Sequence, residues 1–238
     1  MENLYIKKFN LRTSDFDCRK KILPSAVLDL FQTVAGEHAT ALGCGFDALF
    51  AKNLLWVLVR TRFEIIKQPD MYQAVTVKTW PLAPSRIGFQ REYLMEDDKG
   101  NPLIKSSSDW VVIDSKERKI VAATNVYPQM EHLSDKCFED RSKKLPDFEA
   151  ENHVLEICPK FSEIDMNNHV NNTKYANYVL DALNPSEDFE IRFFQIDYRH
   201  ELCAGDSINV FVKCEENISL VKGVSPSGEN IFVCKIQN

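Results

Sequence analysis

A carboxylate, an amide and an imidazole lie two residues apart in the segment Asp165-Met166-Asn167-Asn168-His169. A carboxylate can activate water or attack an electrophile, an imidazole can transfer a proton near neutral pH, and an amide can orient a reacting group. The segment precedes a predicted helix, whose unpaired N–H groups and dipole favour negative charge. Asp165, Asn167 and His169 therefore predict chemistry that passes through a tetrahedral oxyanion.

The same segment also suits a purely structural turn. Asp and Asn are favoured in turns and at helix caps, so Asp165 and Asn171 can serve the backbone alone. A calcium loop is excluded, because the positions that require Gly and Glu hold Val170 and Ala176. Metal binding by Asp165 with His169 stays open, although no second histidine follows at helical spacing. We expect no metal and no cofactor.

Glu201 is a fourth candidate for the site. It follows Tyr198-Arg199-His200 at the end of a predicted strand and precedes the turn at Gly205-Asp206. A solvated loop acid needs no special role, so a structural interpretation of Glu201 also stays open.

These candidates lie in the second of two similar halves. An offset of 148 residues places Asp165 over Asp17, and apolar residues then coincide around both aspartates and through the segments that follow. A second register places Phe194 over Phe63. The first copy has Arg19 and Lys21 where the second has its amide and imidazole. One copy is therefore expected to carry the chemistry and the other to serve a different purpose.

Each half has the pattern of a strand, an acidic turn, a helix and then several strands. Helical spacing of apolar residues, with Pro24 at the start and Gly43 after the end, predicts a helix to about Ala41. A second helix is predicted at residues 172–183. Alternating or wholly apolar runs predict strands at residues 54–66, 74–80, 88–95, 108–113, 189–198, 207–213, 218–224 and 231–236.

This order predicts an α+β fold in which each half is a long helix wrapped by a curved antiparallel sheet. We expect an N-terminal domain at residues 1–135, a linker at 136–149, where charge is high and periodicity is absent, and a C-terminal catalytic domain at 150–238.

Composition limits the function classes. The 238 residues carry a net charge of −6, which disfavours nucleic-acid binding, and no apolar run approaches the ~20 residues that span a membrane. The start of the chain shows no signal or organelle-targeting pattern, which predicts a cytoplasmic protein. The seven cysteines include no Cys-x-x-Cys pair and are expected to be free core thiols.

The segment Asp-x-Asn-x-His-Val-Asn-Asn-x-x-Tyr, followed by Tyr-x-x-Glu and Gly-Asp, resembles the signature of acyl-acyl carrier protein thioesterases, whose members have two fused hot-dog domains. The first half is similar to that family as well. The similar segments there are Gln32-x-x-Ala35-Gly36-Glu37-His38-Ala39, Trp56-Val57-Leu58-x-Arg60, Thr79-Trp80-Pro81 and Trp110-Val111-Val112-Ile113-Asp114. The resemblance covers nearly the whole chain. Because it shows no plastid leader, the chain resembles the bacterial members of the family.

The resemblance implies hydrolysis of fatty acyl-acyl carrier protein (acyl-ACP) thioesters, which ends fatty acid biosynthesis. It implies that Asp165 is base or nucleophile, that His169 moves a proton, and that Asn167 and Glu201 orient reacting groups. A cysteine commonly directly follows this glutamate in plant members; here Leu202 intervenes, so Cys203 is expected to be a buried structural thiol.

The resemblance also implies two binding regions. A fatty chain beside the first helix makes Leu30, Val34, Trp56 and Leu58 candidates to line the pocket. The acidic carrier protein requires a basic surface, for which the candidates are Arg19, Lys20, Lys21, Arg141, Lys143 and Lys144.

Alternatives remain within and beyond this enzyme class. A hot-dog thioesterase acting on acyl-CoA and an enoyl-thioester hydratase are the nearest, and a non-catalytic acyl-chain binding protein or a transcriptional regulator is more distant. No nucleic acid or membrane partner is expected, and a homodimer stays open.

Overall fold

The structure is a computed structural model that describes residues 3–122, 126–127, 130–150 and 152–238. The first half contains β1 (Tyr5–Asn10), α1 (Pro24–Ala41), α2 (Phe46–Phe50), β2 (Leu54–Ile65), β3 (Ala74–Pro81), β4 (Phe89–Glu96) and β5 (Pro102–Asp114). The second half contains β6 (Leu155–Ile157), α3 (Tyr175–Leu183), β7 (Phe193–Tyr198), β8 (Ile208–Glu215), β9 (Ile218–Val224) and β10 (Asn230–Gln237). This is the α+β class predicted from the sequence.

The strands of the described chain form one antiparallel sheet in the order β1-β3-β4-β5-β2-β7-β10-β9-β8-β6. Each half has its first strand at the outer edge and its second strand at the centre, so the two halves share one topology. They meet where β2 pairs with β7. There Phe63 lies opposite Phe194, and their rings stack at 5.0 Å.

Both long helices contribute to one core that spans the two halves. Helix α1 contacts β3 and α3, and α3 contacts β8 and β9. Phe31, Val34, Tyr178 and the Phe63–Phe194 pair are buried together in this core. Burial of each such side chain contributes about 1.5–3 kcal/mol. Part of the burial of each helix therefore comes from the other half.

Helix α1 has the predicted bounds, since Pro24 suits its first turn and Gly43 follows it with a φ of 75°. The prediction for the second helix was too long. Residues Asn172–Lys174 form a 3-10 turn, and the α-helix begins at Tyr175. The Asn171 side chain accepts hydrogen bonds from both the backbone N–H and the hydroxyl of Thr173, and so fixes the tighter turn.

Two strands begin several residues away from their predicted starts. Strand β5 begins at Pro102 rather than Ser108. Its first part contains buried serines whose hydroxyl groups form hydrogen bonds within the sheet. Ser106 Oγ, for example, donates to the carbonyl of Arg62 at 2.8 Å. Strand β7 begins at Phe193 rather than Phe189, whose N–H donates instead to the Ser186 carbonyl in a turn.

Residues 136–149 contain no helix or strand. They cross the sheet, and Leu145 and Phe148 pack against Val233 of β10. The Leu145 N–H donates to Asp197 Oδ2 of β7 at 2.7 Å. The domain boundaries given above remain a proposal.

The cysteines are unpaired throughout the described residues, but the prediction of core thiols is wrong for several of them. Cys44 and Cys234 are buried, whereas Cys18, Cys158 and Cys214 are exposed. Within the same residues no helix is both long and apolar enough to cross a bilayer.

Candidate active site

Asp165 organises the loop that precedes α3. Its Oδ1 accepts hydrogen bonds from the backbone N–H groups of Asn167, at 2.8 Å, and His169, at 3.2 Å. Asn168 adopts a positive φ of 65°, a conformation that asparagine tolerates well, and Ile164 pairs with Val170 across the loop. One carboxylate oxygen is thus used to hold the loop.

The first half contains the same loop around Asp17. Asp17 Oδ1 accepts from the N–H groups of Arg19 and Lys21, and Lys20 has the positive φ, at 62°. Phe16 pairs with Ile22 just as Ile164 pairs with Val170. The internal repeat read from the sequence therefore extends to individual hydrogen bonds.

The two loops differ in their second carboxylate oxygen. Asp17 Oδ2 is held by the Arg19 guanidinium at 2.6 and 2.9 Å, and Arg19 also donates to the carbonyls of Ser186 and Phe189. Asn167 replaces Arg19 in the second loop, and among the described residues Oδ2 of Asp165 accepts no hydrogen bond. The Asp165 carboxylate therefore keeps one oxygen that can accept a hydrogen bond from a ligand, whereas both oxygens of Asp17 already accept hydrogen bonds.

His169 and Glu201 approach each other beside this loop. His169 Nε2 lies 3.4 Å from Glu201 Oε2, and His169 pairs with Cys203 in an isolated β-bridge. The same Glu201 oxygen accepts a hydrogen bond from Arg118, which lies in the turn after β5 of the first half. Both halves of the chain therefore contribute charge to the site.

Two clefts meet at the Asp165 loop. The polar cleft, of about 420 Å³, is lined by His169, Glu201 and the basic side chains Arg118, Arg199 and His200. The apolar cleft, of about 480 Å³, is lined by residues of α1, α2, β2 and β5, together with residues of the Asp165 loop; those from the four elements include Ala35, Gly36, Ala39, Phe46, Trp56 and Trp110. Asp165, Asn167, Asn172 and Trp56 line both clefts. A ligand with an apolar end and a polar end would have its middle at Asp165.

Comparison with known proteins decides the family. Residues 2–129 match the family model for the acyl-ACP thioesterase N-terminal domain, and residues 147–235 match the model for the C-terminal domain. The chain belongs to the acyl-ACP thioesterase family. The resemblance seen in the sequence is confirmed.

The relatives of this thioesterase include plant and bacterial proteins. The oleoyl-acyl carrier protein thioesterase 1 of Arabidopsis thaliana is 27% identical over 94% of this chain and 67% of its own length. An acyl-ACP thioesterase structure from Bacteroides thetaiotaomicron superposes with a TM-score of 0.90 at 25% identity, covering 99% of this chain and 97% of its own. The 12:0-ACP thioesterase from Umbellularia californica superposes at 0.87 with 19% identity, covering 100% and 97%, which confirms the double hot-dog fold.

The four side chains predicted to bind the acyl chain fall into two groups. Trp56 lines both clefts of the thioesterase, and Leu58 lines the polar cleft. Val34 is fully buried in the core, and Leu30 packs against that core. Neither lines the two clefts. The surface that α1 presents to the apolar cleft is one turn-spaced row instead, formed by Gln32, Ala35, Gly36 and Ala39.

The six basic residues predicted to dock the carrier protein also divide. The Arg19 side chain is 7% exposed and is bound to Asp17, and Lys21 pairs with Glu190, so both have structural partners. Lys20 is exposed, as are Arg141, Lys143 and Lys144 in the linker. Their docking role remains a prediction.

Cys203 is half-buried rather than buried, which corrects the sequence-based prediction. Burial raises the pKa of its thiol, and the carboxylates of Asp206 and Glu201 raise it further. A raised pKa opposes thiolate formation, and so the thiol is not poised to act as a nucleophile.

Arg118 is a site residue that no sequence motif predicted. The only local signal was its place in Asp114-Ser115-Lys116-Glu117-Arg118, directly after a predicted strand. Its partner Glu201 lies 83 residues away in the other half. Only the fold brings the two together.

Proposed function

We propose that this protein hydrolyses fatty acyl-ACP thioesters and releases a free fatty acid and the holo carrier protein, and so terminates fatty acid synthesis. One observation carries the proposal: Asp165, whose Oδ2 accepts no hydrogen bond among the described residues, lines both an apolar cleft and a cleft whose lining includes Arg118 and Arg199. A fatty acyl thioester has this form, with a long apolar chain, a reactive carbonyl, and a phosphopantetheine arm that carries negative charge.

Asp165 acts on the thioester carbonyl in this proposal, either by activating water or by direct attack. Its Oδ1 stays bound to the loop, so Oδ2 faces the reaction. Asn167, which lines both clefts, holds the carbonyl or the water. His169, oriented by Glu201, delivers the proton to the departing thiol.

An assay of the purified protein tests the function. We expect fatty acyl-ACP to yield free fatty acid and free carrier thiol, with slower turnover of the matching acyl-CoA. Addition of water across the double bond of an enoyl thioester, without cleavage, would instead support the hydratase alternative. Tight acyl-chain binding without any turnover would support a non-catalytic binding protein.

Chain length depends on the apolar cleft. Gly36 lines this cleft, and a Cβ at Gly36 would meet no atom within 4 Å. Gly36→Leu should fill the cleft and shift the preference in kcat/KM to acyl chains about two carbons shorter. Each buried CH₂ group contributes about 0.8 kcal/mol, so the loss of two of them changes kcat/KM by about tenfold. The measurement is kcat/KM across a panel of acyl-ACP chain lengths.

Gly36→Ala is the matched control for this prediction. Its methyl group enters open space, so chain preference should be unchanged while α1 gains about 0.5–1 kcal/mol from replacing a mid-helix glycine. An unchanged preference in Gly36→Leu as well would place the acyl chain elsewhere.

The carrier protein is proposed to dock by charge. Since the carrier is acidic, raising ionic strength from about 0.01 M to 0.15 M shortens the Debye length from about 30 to 8 Å and should lower kcat/KM for acyl-ACP. A small acyl thioester should lose much less activity. Equal salt sensitivity of the two substrates would contradict docking through Lys20 and the basic linker residues.

Location and assembly are further proposals. The bacterial structural neighbour supports a cytoplasmic protein, although the plant relatives are chloroplastic. Cell fractionation tests the proposed cytoplasmic location. Light scattering on the purified chain decides between a monomer, in which the fused halves act as their own pair, and a homodimer.

A further inference from the structure

The Glu201 side chain is exposed and contacts two neighbouring side chains through its carboxylate. Its side chain is 38% exposed and lies in the loop between β7 and the Gly205-Asp206 turn. Among the described residues, its carboxylate contacts only Arg118 and His169. A glutamate with several free rotamers would otherwise spend little time beside the imidazole.

Arg118 is presented by a turn that is held by its own hydrogen bonds. Asp114 Oδ1 accepts the N–H groups of Lys116 and Glu117, each at 2.8 Å, and the Arg118 N–H donates to the Asp114 carbonyl at 2.9 Å. These backbone hydrogen bonds lower the pKa of Asp114. Arg118 itself has a positive φ of 56°, so its direction is set by the turn.

We infer that Arg118 is a positioning residue of the second-half active site: its guanidinium holds Glu201 against His169, so that the first half completes the catalytic group. This inference rests on the proposed function. It gives the first half a role in the chemical step in addition to forming one wall of the apolar cleft.

A docking role for Arg118 predicts a different kinetic result. Arg118 lines the polar cleft, where it could bind the phosphate of the substrate arm. Loss of a docking contact would raise KM for acyl-ACP and leave small thioesters unaffected. Loss of a positioning contact lowers kcat on both substrates.

A double-mutant cycle tests the inference, using Arg118→Ala, Glu201→Gln and the double variant with acyl-ACP and with a small acyl thioester. We expect Arg118→Ala to lower kcat at least tenfold on both substrates in the parent, and less than twofold in the Glu201→Gln background. Arg118→Lys should restore part of the loss, because a single ammonium can still reach one carboxylate oxygen.

Lys119→Ala is the matched control, since it removes a cation from the same turn that pairs with Glu117 and not with Glu201. It should leave kcat unchanged. Equal losses from Arg118→Ala in both backgrounds, or a change in KM for acyl-ACP alone, would overturn the positioning role. An inert Glu201→Gln would instead count against the proposed site, so the two failures are distinguishable.

Discussion

Asp165→Asn is expected to lower kcat for acyl-ACP hydrolysis by roughly a thousandfold, or ~4 kcal/mol of barrier, while the protein stays folded. Asparagine keeps an oxygen that can accept the N–H groups of Asn167 and His169, so the loop is retained. The substitution removes the negative charge of a side chain that lines both clefts. The measurements are single-turnover hydrolysis and thermal unfolding.

Asp17→Asn is the control, because the first half has the same loop around the same residue type. Here the expected effects reverse. Arg19, nearly buried, loses its carboxylate partner, which should cost about 2 kcal/mol of stability, while kcat stays near the parent value. Parent-like hydrolysis by purified Asp165→Asn would contradict the assignment of Asp165.

Asp197→Ala is expected to destabilise the protein by about 4 kcal/mol, the scale for breaking a buried ion pair. Asp197 is 2% exposed and accepts from Arg60 Nε at 2.5 Å, from Gln195 and from the Leu145 N–H. Arg60 belongs to β2 and Leu145 to the linker, so this one carboxylate joins both halves and their connection. Differential scanning calorimetry should show Tm lowered by roughly 10 °C.

Asp140→Ala provides the comparison within the same region. Asp140 pairs with Arg62 at 3.4 Å, but its side chain is 75% exposed, and exposed pairs contribute ~0–1 kcal/mol. Its Tm should stay within about 2 °C of the parent. A similar loss in both variants would show that burial of the Asp197 network is not what stabilises the junction.

Much of the fold follows from local sequence patterns. Pro24 and Gly43 delimit α1, and alternating apolar residues locate most strands, because both signals depend on residues within a few positions of each other. The repeat was readable because Asp17 and Asp165 begin the same hydrogen-bonded loop. The missed first half of β5 has buried serines, whose burial depends on partners in neighbouring strands.

The candidate site was only partly predictable. Asp165, Asn167 and His169 are close in sequence, so their motif is visible without a structure. The contact of Arg118 with Glu201 joins the two halves of the chain, and no periodicity reports it. Similarly, Val34 and Ala35 are adjacent in α1 and both are buried in the core, yet only Ala35 also lines the apolar cleft. Only the sheet and helix packing separates them.

A crystal structure of the Asp165→Asn protein with an acyl-pantetheine amide, which resists hydrolysis, would test the central claim most directly. The account predicts that the amide carbonyl lies within hydrogen-bond distance of Asn167, with the acyl chain against Ala35 and Gly36 and the pantetheine arm beside Arg118 and Glu201. A chain bound away from the apolar cleft, or a carbonyl remote from residue 165, would contradict it.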